Sequence, residues 1–268
     1  MPYTKNLTWP DLSLFPPTDK NVWIVVDHPL QVRDEGVTMI GLQAEPHAII
    51  PQLRPLFIEN HKNFDTILTY DDEVLKACPN ARYCTLTNSW ISPSTYNNID
   101  VSRKQRKISC LTGQKRETVG HEFRINLYMN QSPLFSPVTW FRSSKGKILP
   151  AIGNNPVIGD SKDPLFLDYQ FSVAIENSRQ PNYFTEKLLD CLITKTIPIY
   201  WGCPNISNWF DTRGWIILET TSIGEFKLKC SRLPEYSRFI NVINENYERA
   251  KQYANYEANI QRVMNFGV

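Results

Sequence analysis

Thr185, Glu186 and Lys187 open a helix-compatible run, and that position gives them chemical use. Leu188, Leu189, Leu192 and Ile193 fall at i, i+1, i+4 and i+5, which makes one apolar helical stripe. Glu186, Lys187, Asp190 and Thr194 are expected on the other side. A polar loop from Glu176 to Asn182 precedes the run, and Ile197-Pro198-Ile199-Tyr200-Trp201 follows it, apolar and partly β-branched as a buried strand should be, before Gly202. A helix N-terminus presents free backbone N–H groups and the positive end of the macrodipole, so it favours an anion. A lysine there can hold a phosphate, and a carboxylate beside it can accept hydrogen bonds from sugar hydroxyls. The spacing suggests a nucleotide or sugar-phosphate site. The plainer alternative is Thr185 as a helix cap over a solvated first turn.

The elements that must position these residues read as two α/β series. Residues 22–26, Val37–Leu42 and residues 64–70 are expected strands, with a short helix from Asp71 or Asp72. A basic stretch at residues 102–107 suggests a boundary. Beyond it, residues 108–112 and 138–141 read as strands, residues 118–129 as a helix, and Tyr169–Ile175 as the approach to the chemical run. Residues 214–218 supply a late strand, and residues 235–264 read as a long polar helical tail. Domains over residues 1–103 and 104–240 with a tail over 241–268 are therefore expected, each domain a mostly parallel sheet with helices.

With 268 residues, 41% hydrophobic and 21% charged, the chain can bury one large core or two modest ones. A net charge of +2 gives no general argument for nucleic acid. Six cysteines show no Cys-x-x-Cys spacing, so metal binding is poorly supported; Cys78 and Cys84 are near enough in sequence to bridge a loop, but reducing surroundings would keep them as thiols. No apolar run reaches bilayer length, and the first ten residues lack the apolar segment of a secretory signal.

The run at residues 176–202 resembles the donor-binding signature of the α1,3/α1,4-fucosyltransferase family, glycosyltransferase family 10. The matching elements are Glu176-Asn177-Ser178, Tyr183, Thr185-Glu186-Lys187 and Ile197-Pro198-Ile199-Tyr200-Trp201-Gly202, at the family spacing. The resemblance implies an α/β fold of the GT-B type, two Rossmann-like domains facing across a cleft, the N-terminal one for acceptor and the C-terminal one for donor. It places Asn177, Tyr183, Glu186 and Lys187 at donor-binding positions, with Lys187 offsetting diphosphate charge and Glu186 binding ribose hydroxyls. Arg124, in Gly120-His121-Glu122-Phe123-Arg124, is the expected second cation, since a guanidinium stays charged and can bind two oxygens. Lys115 and Arg116 are its rivals, and a surface ion pair with Glu122 is the plainer role for it. Glu45, in Gln43-Ala44-Glu45-Pro46, matches the family's general base, with His47 as the alternative.

The implied activity is inverting transfer of a sugar from a nucleotide sugar to an acceptor hydroxyl, most simply L-fucose from a GDP-linked donor. No Asp-x-Asp motif is present, and Asp71-Asp72-Glu73 reads as a helix start, so neither a cofactor nor a metal is expected to be required. Animal members of the family carry an N-terminal membrane helix; this sequence shows none, and a cytoplasmic location is expected. The acceptor stays open between a glycan and a hydroxylated DNA base. For the latter, Arg103, Lys104, Arg106, Lys107, Lys115, Arg116, Arg142, Lys145 and Lys147 would form a basic cleft, against the alternative of a solvated linker. A non-catalytic nucleotide-sugar-binding protein is the reading from a different class.

Overall fold

The structure, a computed structural model, describes residues 21–27, 36–85, 87–131 and 138–266. The expectation for the first ten residues lies outside them. The chain divides into two compact units, one of Met1–Leu86, Pro181–Tyr183 and Asn255–Val268, the other of Thr87–Gln180 and Phe184–Ala254. The first boundary thus lies at residue 86 rather than 103, and the end of the tail belongs to the first unit.

The first unit is a four-stranded parallel sheet of β1 (Asn21–Val26), β2 (Val37–Leu42), β3 (Thr66–Thr69) and β4 (Ala81–Tyr83), in that order. Alternation along β2 gives it two buried faces. Met39 packs with Leu53 and Phe57 of α1 (Leu53–Asn60) and Val74 of α2 (Asp72–Ala77). Ile40 and Leu42 face the other way, onto Ile260 and Val263 of α8 (Tyr256–Phe266). Asp71 caps α2 by accepting from the Glu73 N–H at 3.0 Å, as the acidic cluster suggested.

The second unit is a six-stranded parallel sheet in the order β10 (Ile216–Ile217), β9 (Ile197–Trp201), β8 (Tyr169–Ile175), β5 (Arg106–Thr112), β6 (Val138–Ser143), β7 (Val157–Ile158). Its first helix is the single turn α3 (Pro93–Tyr96). Phe171 and Ile175 of β8, with Ile197, Ile199 and Trp201 of β9, face Phe123 and Leu127 of α4 (Val119–Met129) and Phe226 of α6 (Ile223–Cys230). Ala174 and Tyr200 point to the opposite layer, α5 (Glu186–Ile193) and α7 (Ile240–Lys251). The apolar stripe of α5 is wholly buried there. Truncating one such residue, as in Leu189→Ala, would cost about 2–5 kcal/mol through lost burial and the cavity left behind.

On α5, Asp190 and Thr194 lie opposite the apolar stripe and are nonetheless buried. One local expectation, a single helical tail, differs from the structure. The tail is two helices rather than one. The Thr87 hydroxyl bonds the Tyr253 carbonyl and the Ser89 N–H bonds that of Ala254, pinning the chain where α7 has ended. Its two parts serve different cores: Tyr247 and Ala250 join the second unit, Ile260 and Val263 the first. Cys78 and Cys84 are both buried free thiols, as expected.

Candidate active site

In the second sheet β5 pairs with β6 on one side and with β8 on the other, so the chain order reverses direction at β5. Open parallel sheets bind ligands outside the carboxyl ends of their strands at such a switch point. A cavity of about 420 Å3 lies there, lined by the loop after β5, by α4, by the loop after β6, by the end of β8 and by α5. Its charged lining is cationic on balance. Lys115, Arg124, Lys145, Lys162 and Lys187 stand against two carboxyls, Glu186 and Asp190.

The loop from β8 to α5 is built around Glu176. This carboxyl is fully buried and accepts from the Thr185 N–H at 2.9 Å and the Thr185 hydroxyl at 2.6 Å. Burial raises its pKa, against the lowering influence of Lys187 and the Thr185 bonds. Two glycines let neighbouring segments close on it. A Cβ at Gly120 would sit 1.8 Å from the Glu176 carbonyl oxygen, and one at Gly202 would meet the Glu176 Cγ at 2.5 Å. Gly120 therefore brings the first turn of α4 flush against the loop, where its N–H bonds the Asn177 carbonyl at 3.2 Å. One turn on, Arg124 bonds the Ile175 carbonyl through Nη1 and Asn177 Oδ1 through Nη2, the latter at 3.1 Å. It does not pair with Glu122, which Arg116 holds at 2.7 Å.

Thr185 caps α5, its hydroxyl accepting from the Lys187 N–H at 3.4 Å. Lys187 Nζ lies 2.7 Å from Glu186 Oε1, both side chains being partly exposed. Burial acts to raise the Glu186 pKa, but the adjacent ammonium and the hydrogen bonds from Lys187 and Thr185 outweigh it and hold the carboxyl below its usual range. Burial acts to lower Lys187, and Glu186 with Glu176 reverses that and raises it. Both groups are thus charged at neutral pH, a carboxylate and an ammonium at a helix N-terminus. His121 also lines the cavity. Burial first, then the charges of Arg124, Lys115 and Lys187, drops its pKa to about 4, so its ring is neutral. Its Nδ1 lies 3.0 Å from the Thr118 hydroxyl.

Asn177, Arg124, Glu186 and Lys187 are therefore gathered in the second unit. Tyr183 and Glu45 fall in the first. Tyr183 is buried with its ring centroid 5.1 Å from that of Tyr70, and its neighbour Asn182 donates to Asp72 at 2.7 Å. Around Glu45 the backbone is clamped. Asp27 accepts from the Ala44 N–H at 2.7 Å and from the Glu45 N–H at 3.1 Å, while the Tyr70 hydroxyl donates to the Glu45 carbonyl at 2.8 Å. His47 is exposed. Of the rival cations, Lys115 lines the cavity and Arg116 is engaged with Glu122. His121 and Asp190 line the cavity although sequence reasoning passed over them; the Gly-His-Glu start of α4 was the available signal for the first.

Three members of the basic set are engaged locally. Lys104 is buried, its Nζ bonding the carbonyls of Phe166 and Tyr169 and the Thr196 hydroxyl. Arg103 pairs with Asp168 at 2.9 Å, and Arg142 is spent on the carbonyls of Leu149 and Asn155. Among the described residues, no three His, Cys, Asp or Glu side chains converge as metal ligands, and no helix is long and apolar enough to cross a membrane.

The architecture has solved counterparts. A crystal structure of an alpha1,3-fucosyltransferase superposes with a TM-score of 0.51 at 15% identity, covering 91% of this chain and 78% of that one, a likeness that shows fold alone. Two parallel α/β units of this kind define the GT-B glycosyltransferase fold. Residues 150–263 match the model described as glycosyltransferase family 10 (fucosyltransferase) C-term. An alpha-(1,3)-fucosyltransferase of Helicobacter pylori is 34% identical over 56 residues, 21% of this chain and 12% of that protein. A GDP-fucose protein O-fucosyltransferase 3 of Xenopus tropicalis is 30% identical over 107 residues, 39% of this chain and 21% of that protein. The matched segments therefore span about a fifth or less of these curated relatives. The resemblance carried by residues 176–202 lies inside the matched region.

Proposed function

We propose that this chain is an inverting glycosyltransferase that moves a sugar from a nucleotide sugar, most simply L-fucose from GDP-fucose, to an acceptor hydroxyl. The observation that carries the reading is the cationic cavity at the switch point, where Lys187 and Arg124 meet the N-terminus of α5. A diphosphate at that end would draw the Lys187 ammonium from Glu186 and face the helix N–H groups. Glu186, released but still ionised, would accept the two ribose hydroxyls. As the sugar–phosphate bond breaks, charge builds on the departing diphosphate, and fixed positive groups stabilise it more than the bound donor.

Glu45 is proposed as the base that takes the acceptor proton, with Asp27 and Tyr70 fixing its backbone. Arg124, Lys187 and the helix N-terminus are proposed to meet the leaving charge without a resident metal; chelator treatment should then leave turnover unchanged. The engagement of Lys104, Arg103 and Arg142 favours a glycan acceptor over DNA, and a flat salt dependence of acceptor binding is the expected result.

Calorimetry with GDP tests the donor site. Lys187→Ala should weaken binding roughly 10- to 100-fold, as expected for loss of a charged hydrogen-bond partner. Unchanged GDP affinity in that variant would remove the donor-site assignment. Unchanged turnover in Glu45→Gln would remove the base.

A further inference from the structure

A second, smaller cavity opens at the carboxyl ends of β9 and β10, again where open parallel sheets hold ligands. It measures about 140 Å3, a third of the first, and the two share no lining residue. Below the roughly 300 Å3 of pockets for drug-sized ligands, it has room for one ring and not for a nucleotide. Gly202 forms part of its wall, and a Cβ there would meet the Tyr200 hydroxyl at 2.6 Å. Only a glycine lets that hydroxyl reach the wall.

Three hydroxyls line this cavity, those of Tyr200, Ser207 and Thr212. Tyr200 is buried, and its oxygen accepts from the Cys203 N–H at 2.9 Å. Burial first, then Glu176 and Cys203, raise its pKa well above the usual phenol value, so the hydroxyl keeps its proton. Among the described residues nothing accepts that hydrogen, and the hydroxyls of Ser207 and Thr212 have no side-chain or backbone partner. A buried donor is costly to leave unmatched, so its acceptor has to come from the cavity. At the rim Arg179 Nη2 lies 3.0 Å from Glu219 Oε2, both side chains more than a third exposed. One of five guanidinium donors and one carboxylate oxygen are thereby used, which leaves donors and acceptors side by side. The Glu225 carboxylate accepts from the Glu219 and Thr220 N–H groups, each at 2.9 Å, and fixes that rim.

The geometry points to this cavity as a carbohydrate subsite separate from the donor cavity, taking one neutral pyranose ring. Each sugar hydroxyl both donates and accepts, so Tyr200 can donate to one while Ser207 and Thr212 donate or accept. Neighbouring ring hydroxyls can bridge Arg179 and Glu219. The apolar walls at Ile206 and Ile217 suit the C–H faces of the ring. The paired charges at the rim cancel, so neither an acidic sugar nor an amino sugar gains there. Nothing in this site depends on Lys187 or Glu186.

Saturation-transfer NMR on the full chain tests the subsite, with the methyl glycosides of galactose, mannose, fucose and N-acetylglucosamine as probes. GDP is added to occupy the donor cavity. At least one glycoside should bind with a dissociation constant of about 1–10 mM, the range for so few atoms, with or without GDP. Arg179→Ala should weaken that binding about 10-fold, and Thr212→Trp, which fills the cavity, should abolish it. Both variants should keep their GDP affinity by calorimetry. Absence of saturation for all four glycosides overturns the inference. So does their displacement by GDP, which would put the sugar in the donor cavity instead. Undiminished binding in Arg179→Ala overturns it even if Thr212→Trp does not fold. Failure of GDP to bind, with glycoside binding still lost in the variants, would remove the donor site and uphold this one.

Discussion

The loop that leaves β2 and the loop that leaves β8 each start at the carboxyl end of a parallel strand, yet they are held by different means. After β2, hydrogen bonds do the holding: Asp27 grips two N–H groups and Tyr70 one carbonyl, with Glu45 in the middle. After β8, steric closure does it. Gly120 and Gly202 bring α4 and the end of β9 so near Glu176 that no side chain fits at either glycine. The first device loses strength one bond at a time. The second has no partial failure, because a Cβ would strike the Glu176 backbone at Gly120 and the packed Glu176 and Tyr200 side chains at Gly202.

The largest expected effect falls on the first loop but concerns its chemistry. Glu45→Gln should lower turnover about 100- to 10,000-fold, the range for loss of a general base, with GDP affinity unchanged by calorimetry. Gly120→Ala strikes the second loop. It should destabilise the chain by roughly 3 kcal/mol in denaturant titration, the upper end for overpacking because backbone cannot swing aside, and it should weaken GDP binding as Arg124 is displaced.

The pH dependence separates a third group. His121, lowered to about 4 when folded, takes a proton in the unfolded chain near its ordinary value of 6.5. Its contribution to stability is therefore complete above about pH 6.5 and is lost as pH falls toward about 4, on the order of 3 kcal/mol in all. His121→Asn should flatten that part of the stability profile; an unchanged acid limb would show that the ring is not held neutral.

Tyr70→Phe should have the smallest effect. It removes one hydroxyl bond to the Glu45 carbonyl, worth about 1 kcal/mol, and should reduce turnover a few-fold without touching GDP affinity. A collapse of stability as large as that from Gly120→Ala would erase the contrast between the two loops.

Much of the second unit was legible because its signals are local. The stripe Leu188, Leu189, Leu192, Ile193 needs only helical periodicity, and the Thr185 cap needs only its own first turn. Asp71 as a cap and the strand at Val37–Leu42 are of the same kind. β4 and β7, of three and two residues, are too short for any period to emerge. The tail read as one helix because its break is made by Thr87 and Ser89, far away in sequence. Asp190 was hidden for a related reason. A polar residue opposite an apolar stripe reads as solvated, and only the segment at Ser89 and Trp90 covers it.

By itself, the sequence determined which residues open α5, which strand precedes and follows it, and what kind of ligand a lysine and a carboxylate at a helix N-terminus can take. Those properties depend on bonds and periodicities spanning a few residues. Only the tertiary structure decided that Arg124 meets Asn177, that Lys104 is buried rather than offered to a polyanion, and that Asp190 lies under Ser89 and Trp90. Each of these is settled by strand order and by close approach at Gly120, which bring together segments separated by tens of residues.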